Sequence, residues 1–465
     1  MPTITFAGLA SGIDTDSIIK ATVDARRTAI IPLENEVKRN ESETDSLEEF
    51  NTKLLALQDA LKGFMTLNGG GISKTGTSSN PEAVSISAGS GALTSSTKVS
   101  VTSLASAATF SFNDRFSSYE EPLVPNLAGE ASIDIAIGSG ESAKTVSIAI
   151  DKTTTLSELA NKINENSDIG ISSSIINTST EEAPQYALLI SGLKSGTEAG
   201  LLQVSVASAI TSEGIFQSST LEQASDARFN VSGLGDISRS SNIVSDLLPG
   251  VTFELKQANA SGVMLSVQED VDATVAKFQT VIDAYNELIK YAREESKVEQ
   301  DTDEEGEIIN VFGSLARNSI DERAISELKS AIATANSGIA DSEVQIFADL
   351  GVTTARDGTL DFDSEKFREG MGKSPEAVEK LLNTLGDTVA GTNGTISQYT
   401  KYQGLIDVAV DANKRGTENL NEKIARIERN IDGEVERLRR IFTNLETTMS
   451  KLNSGANAIA SILQL

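Results

Sequence analysis

Residues 420–463, LNEKIARIERNIDGEVERLRRIFTNLETTMSKLNSGANAIASIL, decide the fold. Leu420, Ile424, Ile427, Ile431, Val435, Leu438, Phe442, Leu445, Met449, Leu452, Ala456, Ile459 and Leu463 step by four and three. This is the seam of a coiled-coil helix, with one stutter of two consecutive fours around Ile431 that locally unwinds a supercoil. At 1.5 Å per residue the stretch predicts a rod of about 65 Å. A rod that long cannot bury its own seam, so it needs a partner.

A partner can be sought at the other end of the chain. Leu47, Phe50, Leu54, Leu57, Leu61 and Phe64 step by three and four, and Ile30, Leu33 and Val37 form a similar seam upstream. Asn40 and Thr44 interrupt it, and Pro32 predicts a fresh helix start or a bend. Glu34, Glu36, Glu41, Glu43, Asp45, Glu48 and Glu49 make this segment acidic. Lys414, Arg415, Lys423, Arg426, Arg429, Arg437, Arg439 and Arg440 make the first part of the C-terminal helix basic. Opposite charges beside two long seams favour pairing of the termini. The alternative is two solvated faces with local ion pairs worth about 0.3–0.5 kcal/mol each.

Between the ends the composition turns Ser/Thr/Gly-rich after LNGGG (67–71). AVSISA, TKVSVTSL, ASIDIAI and KTVSIAI alternate apolar and polar residues, as half-buried strands do. TLSELANKINEN (155–166) places Leu156, Leu159 and Ile163 on one helical face, and strand-like runs then continue to about residue 270. From Val271 helical spacing returns, with Val275, Phe278, Ile282, Tyr285 and Ile289 on one stripe. Helical segments separated by DTDEEGE, GVTTARDGTLDFD and GDTVAGTNGT follow to about residue 401. The β-rich middle is thus inserted into a helical rod whose two ends meet.

Composition narrows function. The 465 residues exceed one ordinary core, and the net charge of −28 (39 basic, 67 acidic) argues against nucleic-acid binding and anionic membranes. With no Cys and no His, thiol chemistry, thiolate metal sites, disulfides and the usual general base are excluded. No stretch approaches the roughly 20 apolar residues of a membrane span. Met1 to Ser17 has no Lys or Arg and is broken by Asp14 and Asp16, unlike a cleaved secretory signal. No membrane insertion and no ordinary signal peptide are expected.

Two motifs imitate chemistry. Residues 301–312, DTDEEGEIINVF, imitate a calcium loop, but Phe312 stands where a bidentate Glu is required, which favours an exposed acidic turn. GSGESAKT (138–145) imitates a phosphate loop, but Ala143 precedes Lys144 and the flanks are strand-like, which favours a hairpin turn. No catalytic residue, metal site or cofactor is expected, and the chain reads as a non-enzyme.

FAGLASGIDTDSIIK (6–20) remains. Asp14 fits an N-cap, Asp16 suits a helix start, and Ile18, Ile19 and Val23 begin an apolar face. The bland alternative is a well-capped helix start with no further role. GLASGIDTDSIIK resembles the N-terminal signature of the flagellar hook-associated protein 2 family. DARFNVSGLGDISRSSNIVSDLLPGVTFEL (226–255), LGVTTARDGTLDFDSEKF (350–367) and FTNLETTMSKLNSGANAIASIL (442–463) are similar to further stretches of it. Segments between 131 and 200 resemble a repeat of flagellin and other axial proteins, and about 110–130 is least matched.

The resemblance implies a secreted filament cap at the distal tip of the bacterial flagellum. Such a cap is exported unfolded and is a homo-oligomeric ring, most often a pentamer, that helps flagellin fold into place and prevents its loss. It implies as partners further copies of the chain, flagellin, hook–filament junction proteins, an export chaperone and, in some members, host mucin glycans. The fold expected is multidomain α+β: a coiled-coil leg (residues 1–42 and 410–465) and a helical inner domain (43–71 and 271–409). A β-rich outer domain (72–107 and 221–270) would carry an inserted distal β-rich domain (108–220). Filament contact is expected from Gly8, Leu9, Gly12, Ile13, Ile18, Ile19, Leu452, Ile459 and Leu463. The competing readings are another axial or junction protein and a secreted adhesin whose helices are a stalk.

Overall fold

A computed structural model describes residues 14–232, 234–302 and 308–463. The chain divides into two units, residues 1–71 with 272–465, and residues 72–271.

The first unit is helical. Its N-terminal part is α1 (Thr15–Arg27) and α2 (Ile31–Lys62). Pro32 stands in the first turn of α2, where its missing N–H has no intrahelical acceptor in any case. The chain returns as α5 (Val271–Glu295), α6 (Ile320–Thr334), α7 (Ser364–Lys373), α8 (Pro375–Ala390), α9 (Thr395–Thr400) and α10 (Leu405–Leu463). The seam of α2 is its buried face: Leu47, Phe50, Leu54, Leu57 and Leu61 are all at or below 2% exposure. Phe64, Phe278, Phe347, Phe362 and Phe367 form an edge-and-stack cluster below it, with ring centroids 5.3–6.1 Å apart.

Lys277 lies over the Phe64 ring and donates to Gly63 O at 2.6 Å, satisfying a carbonyl at the C-terminus of α2. Partial burial holds its ammonium pKa below the ordinary lysine value. Glycine is required where α8 meets the end of α2. A Cβ on Gly386 would stand 2.8 Å from the Phe64 carbonyl carbon.

Two small antiparallel ribbons interrupt these helices. Strands β16 (Val298–Thr302) and β17 (Ile308–Phe312) make one, and β18 (Val352–Thr354) and β19 (Leu360–Phe362) the other. Both correct the expectation of simple connecting segments. The acidic and Gly-rich stretches are turn signals, and short apolar strands flank them. Of the sequence expected to be an acidic turn, residues 303–307 lie outside the described ones.

The second unit carries β1 (Lys74–Ser78), β2 (Val84–Ala88), β3 (Ser95–Ser103), β4 (Ala107–Phe112), β5 (Ala131–Ile137), β6 (Lys144–Ile150), β7 (Ile171–Asn177) and β8 (Tyr186–Ser195). β9 (Leu202–Val206), β10 (Ser219–Glu222), β11 (Ala227–Val231), β12 (Asp236–Arg239), β13 (Ile243–Leu248), β14 (Val251–Leu255) and β15 (Val263–Glu269) complete it, with helices α3 (Leu156–Asn164) and α4 (Ser208–Thr211). Two cores result. One lies between sheets β1-β15-β3-β11-β12 and β13-β14-β2, where Phe229 meets Phe253 edge-on. The other lies between sheets β10-β4-β8-β7 and β6-β5-β9, with α3 closing it through Leu156, Leu159 and Ile163.

Thr155 caps α3 in a reciprocal capping box with Glu158, which is why the helical spacing there begins so sharply. GSGESAKT is indeed the β5–β6 connection, with Gly138 and Gly140 at positive φ. The multidomain α+β class expected from the sequence is the one observed.

Candidate functional site

Helix α10 has 59 residues and begins at Leu405, fifteen residues before the seam first read from the sequence. It is about 88 Å long rather than about 65 Å. The early turns carry Ile406 and Val410 as buried residues against α2 and α9, so they belong to the same helix under different packing.

The seam is used unequally along this rod. Leu420 and Ile431 are buried, and Ile424, Ile427, Val435, Leu438 and Phe442 are half-buried. Leu445 is 38% exposed, Leu452 62% and Ile459 61%. The cause is the length of the partners. Helices α2 and then α1 run antiparallel to α10, as ion pairs Lys414–Glu48 (3.0 Å) and Arg26–Glu434 (3.3 Å) show. Ile30 is buried at the α1–α2 corner. Among the described residues α1 starts at Thr15 and is 13 residues long, and α10 runs on past it.

Charge does less than the sequence suggested. Among the described residues two ion pairs join the terminal helices; Lys414–Glu48 is exposed on both sides, and Arg26–Glu434 is exposed at the arginine and half-buried at the glutamate. Exposed pairs of this kind are worth about 0–1 kcal/mol, so apolar packing holds the helices together. The hydrogen bond and charge of Glu48 raise the Lys414 pKa.

The polar positions of the seam form a weak layer. Thr44 is buried, with its hydroxyl turned back to Asn40 O at 2.8 Å. A Cβ on Gly416 would stand 3.2 Å from Asn40 Nδ2, so the glycine makes room for the amide. Asn51 Oδ1 on α2 and Asn413 Nδ2 on α10 are buried without hydrogen-bond partners. Each such atom costs about 1–3 kcal/mol.

Of the residues expected to touch a filament, Gly8, Leu9, Gly12 and Ile13 lie outside the described residues. Asp14 is the N-cap, accepting from Ser17 N at 3.0 Å and Ser17 Oγ at 2.6 Å, and these bonds hold its carboxyl below the usual range. Ile18 and Ile19 part company: Ile19 is buried and Ile18 is 44% exposed. Adjacent helix positions lie about 100° apart, and among the described residues α10 packs on the side of α1 that holds Ile19. Leu452 and Ile459 stand on the open end of α10. Leu463 closes the helix, and its side chain lies outside the described ones.

Among the described residues no His/Cys/Asp/Glu group fits a metal, and no helix is long and apolar enough to cross a membrane. An assembly surface, two paired terminal helices with one bare end, is what the unit offers.

Comparison with known proteins decides which assembly. The model for the flagellar hook-associated protein 2 C-terminus matches residues 224–454, and that for its N-terminus matches residues 11–108. The chain belongs to the flagellar hook-associated protein 2 family. It is 24% identical over 492 residues to the A-type flagellar hook-associated protein 2 of Pseudomonas aeruginosa, covering 99% of this chain and 97% of that one. It is 25% identical over 482 residues to the flagellar hook-associated protein 2 of Escherichia coli K12, covering 98% and 97%. In fold it resembles the D1-D2-D3 domains of the flagellar cap protein FliD from Escherichia coli, with a TM-score of 0.58 at 22% identity. That likeness covers 81% of this chain and 99% of the other. The two family models leave residues 109–223 uncovered, and these build most of the second β core.

Proposed function

We propose that this chain is the subunit of a flagellar filament cap and works at the distal tip of the filament. It is secreted, associates with further copies of itself into a ring of five, and holds exported flagellin at the tip until it folds into place. Family membership supports the cap role, and one observation carries the mechanism: a long helix whose seam is buried at one end and bare at the other.

The bare end, with Leu452, Ile459 and Leu463, forms the leg that engages helices of the filament and the hook–filament junction. Ile18, Ile19 and the lead Gly8, Leu9, Gly12 and Ile13 form its foot. A leg that must release and rebind for every inserted subunit has to bind weakly. The unsatisfied Asn51 and Asn413 and the Thr44 layer keep the rod loose where it joins the helical body. Before export the same bare seam is what a chaperone would cover. We assign residues 1–42 and 410–465 to the leg, 43–71 and 271–409 to the inner body, and the inserted β-rich residues 72–270 to the plate.

The experiment is removal of the gene, followed by separation of flagellin into filament-bound and soluble fractions. The cap role requires short or absent filaments and flagellin monomer in the medium. Filaments of normal length with a clear medium contradict it.

A further inference from the structure

We infer that the open edge of β18 captures a strand. An extended segment of a partner chain that has not yet folded, apolar at alternate residues and carrying a carboxylate, adds to the β18–β19 ribbon as its third strand. The inference rests on the cap reading proposed above, in which an exported subunit is held until it folds, and it names the contact that holds it.

The two edges of the ribbon are treated differently. In an antiparallel pair alternate residues exchange bonds with the partner strand, and the residues between them point outward. Asp363 N donates to Gly351 O at 3.0 Å and Ala355 N to Thr359 O at 2.8 Å. Gly351, Thr353 and Ala355 therefore face β19, while Val352 and Thr354 face outward. On the far side Leu360 also points outward, and its edge is sealed. Leu360 N donates to Asn286 Oδ1 at 2.7 Å, and Asn286 Nδ2 donates to Leu360 O at 2.9 Å. No such seal covers β18. Among the described residues the backbone N–H and C=O groups of Val352 and Thr354 have no hydrogen-bond partner, and β18 pairs with β19 alone. An edge left open in this way is a template for another strand.

Beside that edge runs a cleft of about 380 Å³, bounded by α6 and by the helical turn Phe347–Leu350. Val352, Thr353 and Thr354 all line it, so it follows β18 along its length. Its floor is apolar and buried, made by Tyr285, Phe347, Val352 and Leu360. Ile332 is half-buried on one wall, and Ile346 is 40% exposed on the other. Successive side chains of an added strand alternate between floor and solvent, so the cleft selects apolar residues at every second position.

Charge sets the remaining requirement. Among the described residues Lys329 is the one charged residue of the lining, and it makes no ion pair. The carboxylates on the flanking turns are engaged in their own loops. Asp349 Oδ2 accepts from Gln345 N and Ile346 N, and Asp357 Oδ1 accepts from Thr359 N and Thr359 Oγ. Asp361 pairs opposite Thr353 on β19, one strand away from the open edge. In a chain of net charge −28, a lone ammonium beside an apolar cleft selects an acidic guest. A folded partner has its strand bonds already made, whereas an unfolded segment has them free. Two residues of β18 offer bonds, so the capture is weak and reversible, as a site that passes subunits on requires.

The test is fluorescence anisotropy of a labelled peptide, Asp-Val-Thr-Val-Thr-Val amide, titrated with the full chain. Saturable binding is expected, and none for the same peptide methylated at every backbone nitrogen, which keeps the side chains and loses the donors. Thr354→Pro removes an outward N–H that the ladder does not use, and it should weaken binding about tenfold. Lys329→Glu should weaken it too and favour the peptide with Lys in place of Asp, both effects shrinking as salt rises. Equal binding of the methylated peptide overturns strand addition, and a wild-type chain that binds neither peptide overturns the site. Self-association that loosens in Thr354→Pro would make the occupant a second copy and overturn the unfolded partner. Peptide capture by the wild type together with normal filaments after gene removal overturns the cap reading and spares the strand site.

Discussion

The two ends of α10 share one sequence pattern and have opposite fates. Around Leu420 and Ile431 the seam is buried by α2 and the α1–α2 corner, while at Leu452 and Ile459 the same spacing faces solvent. Periodicity states that a helix has a sticky face. It does not state whether the chain itself supplies the cover. Among the described residues α1 stops short of the distal turns of α10, and that difference separates two fates along a single helix.

The sharpest way to break this comparison is to truncate matching apolar side chains in the covered and bare regions. Phe50→Ala, in the fully buried α2 seam, should destabilise the helical unit by about 3–5 kcal/mol. Leu452→Ala should stay within about 0.5 kcal/mol, since it vacates no packed site. Urea denaturation followed by circular dichroism measures both, and equal losses would show that the distal seam is covered within the chain.

The next effect tests the weak layer. Asn51→Leu with Asn413→Leu removes two buried unsatisfied atoms and should stabilise the unit by about 1–3 kcal/mol for each of them. If looseness there serves insertion, the stabilised variant swims worse than the parent in soft agar. Better swimming together with higher stability would remove the layer from the mechanism.

A pH-dependent effect contrasts the body with the leg. Asp321 is buried, takes one bond from Ser296 Oγ at 2.6 Å, and leaves Oδ1 unpartnered. Burial raises its pKa above the ordinary 3.8. The folded state therefore takes up a proton before the unfolded chain does. Stability gains as pH falls through the folded pKa, and above it the charged form is a penalty. Asp321→Asn should raise the melting temperature at pH 7 and flatten its slope between that raised pKa and about pH 4. Asp14, on the leg, has its carboxyl lowered and contributes in the opposite sense, losing its stabilisation only below pH 3.8. An unchanged slope in the Asp321 variant would contradict the assignment.

The smallest effect is expected from charge. Lys414→Met should cost little stability and lose even that at high salt, because the pair with Glu48 is exposed. A larger, salt-insensitive loss would mean that charge pairing, rather than the seam, holds the termini.

Much of this was legible beforehand. The seams of α2 and α10, the Pro32 start, the Asp14 cap and the apolar face of α3 depend on local spacing and local bonds, which sequence states directly. The ribbons β16–β17 and β18–β19 were missed because their strands are short and their turns dominate the composition. The outward turn of Ile18 has no local signal, since adjacent apolar residues are both buried where a helix is covered on two sides, as at Val281 and Ile282. The early start of α10 at Leu405 was hidden because the steps of four and three that lead from Ile406 and Val410 to Leu420 pass through the polar residues Asn413 and Thr417. No local signal marks Gly386 or Gly416 as close-approach sites, for their reason lies on another helix.

The central claim is that the bare end of α10 engages the filament. Leu452→Asp with Ile459→Asp, placed in the chromosomal gene, tests it most directly by the share of flagellin lost to the medium. The account predicts a folded, self-associating protein that no longer retains flagellin, so monomer accumulates outside the cell and filaments stay short. Filaments of normal length and a medium free of flagellin in that double variant would contradict it.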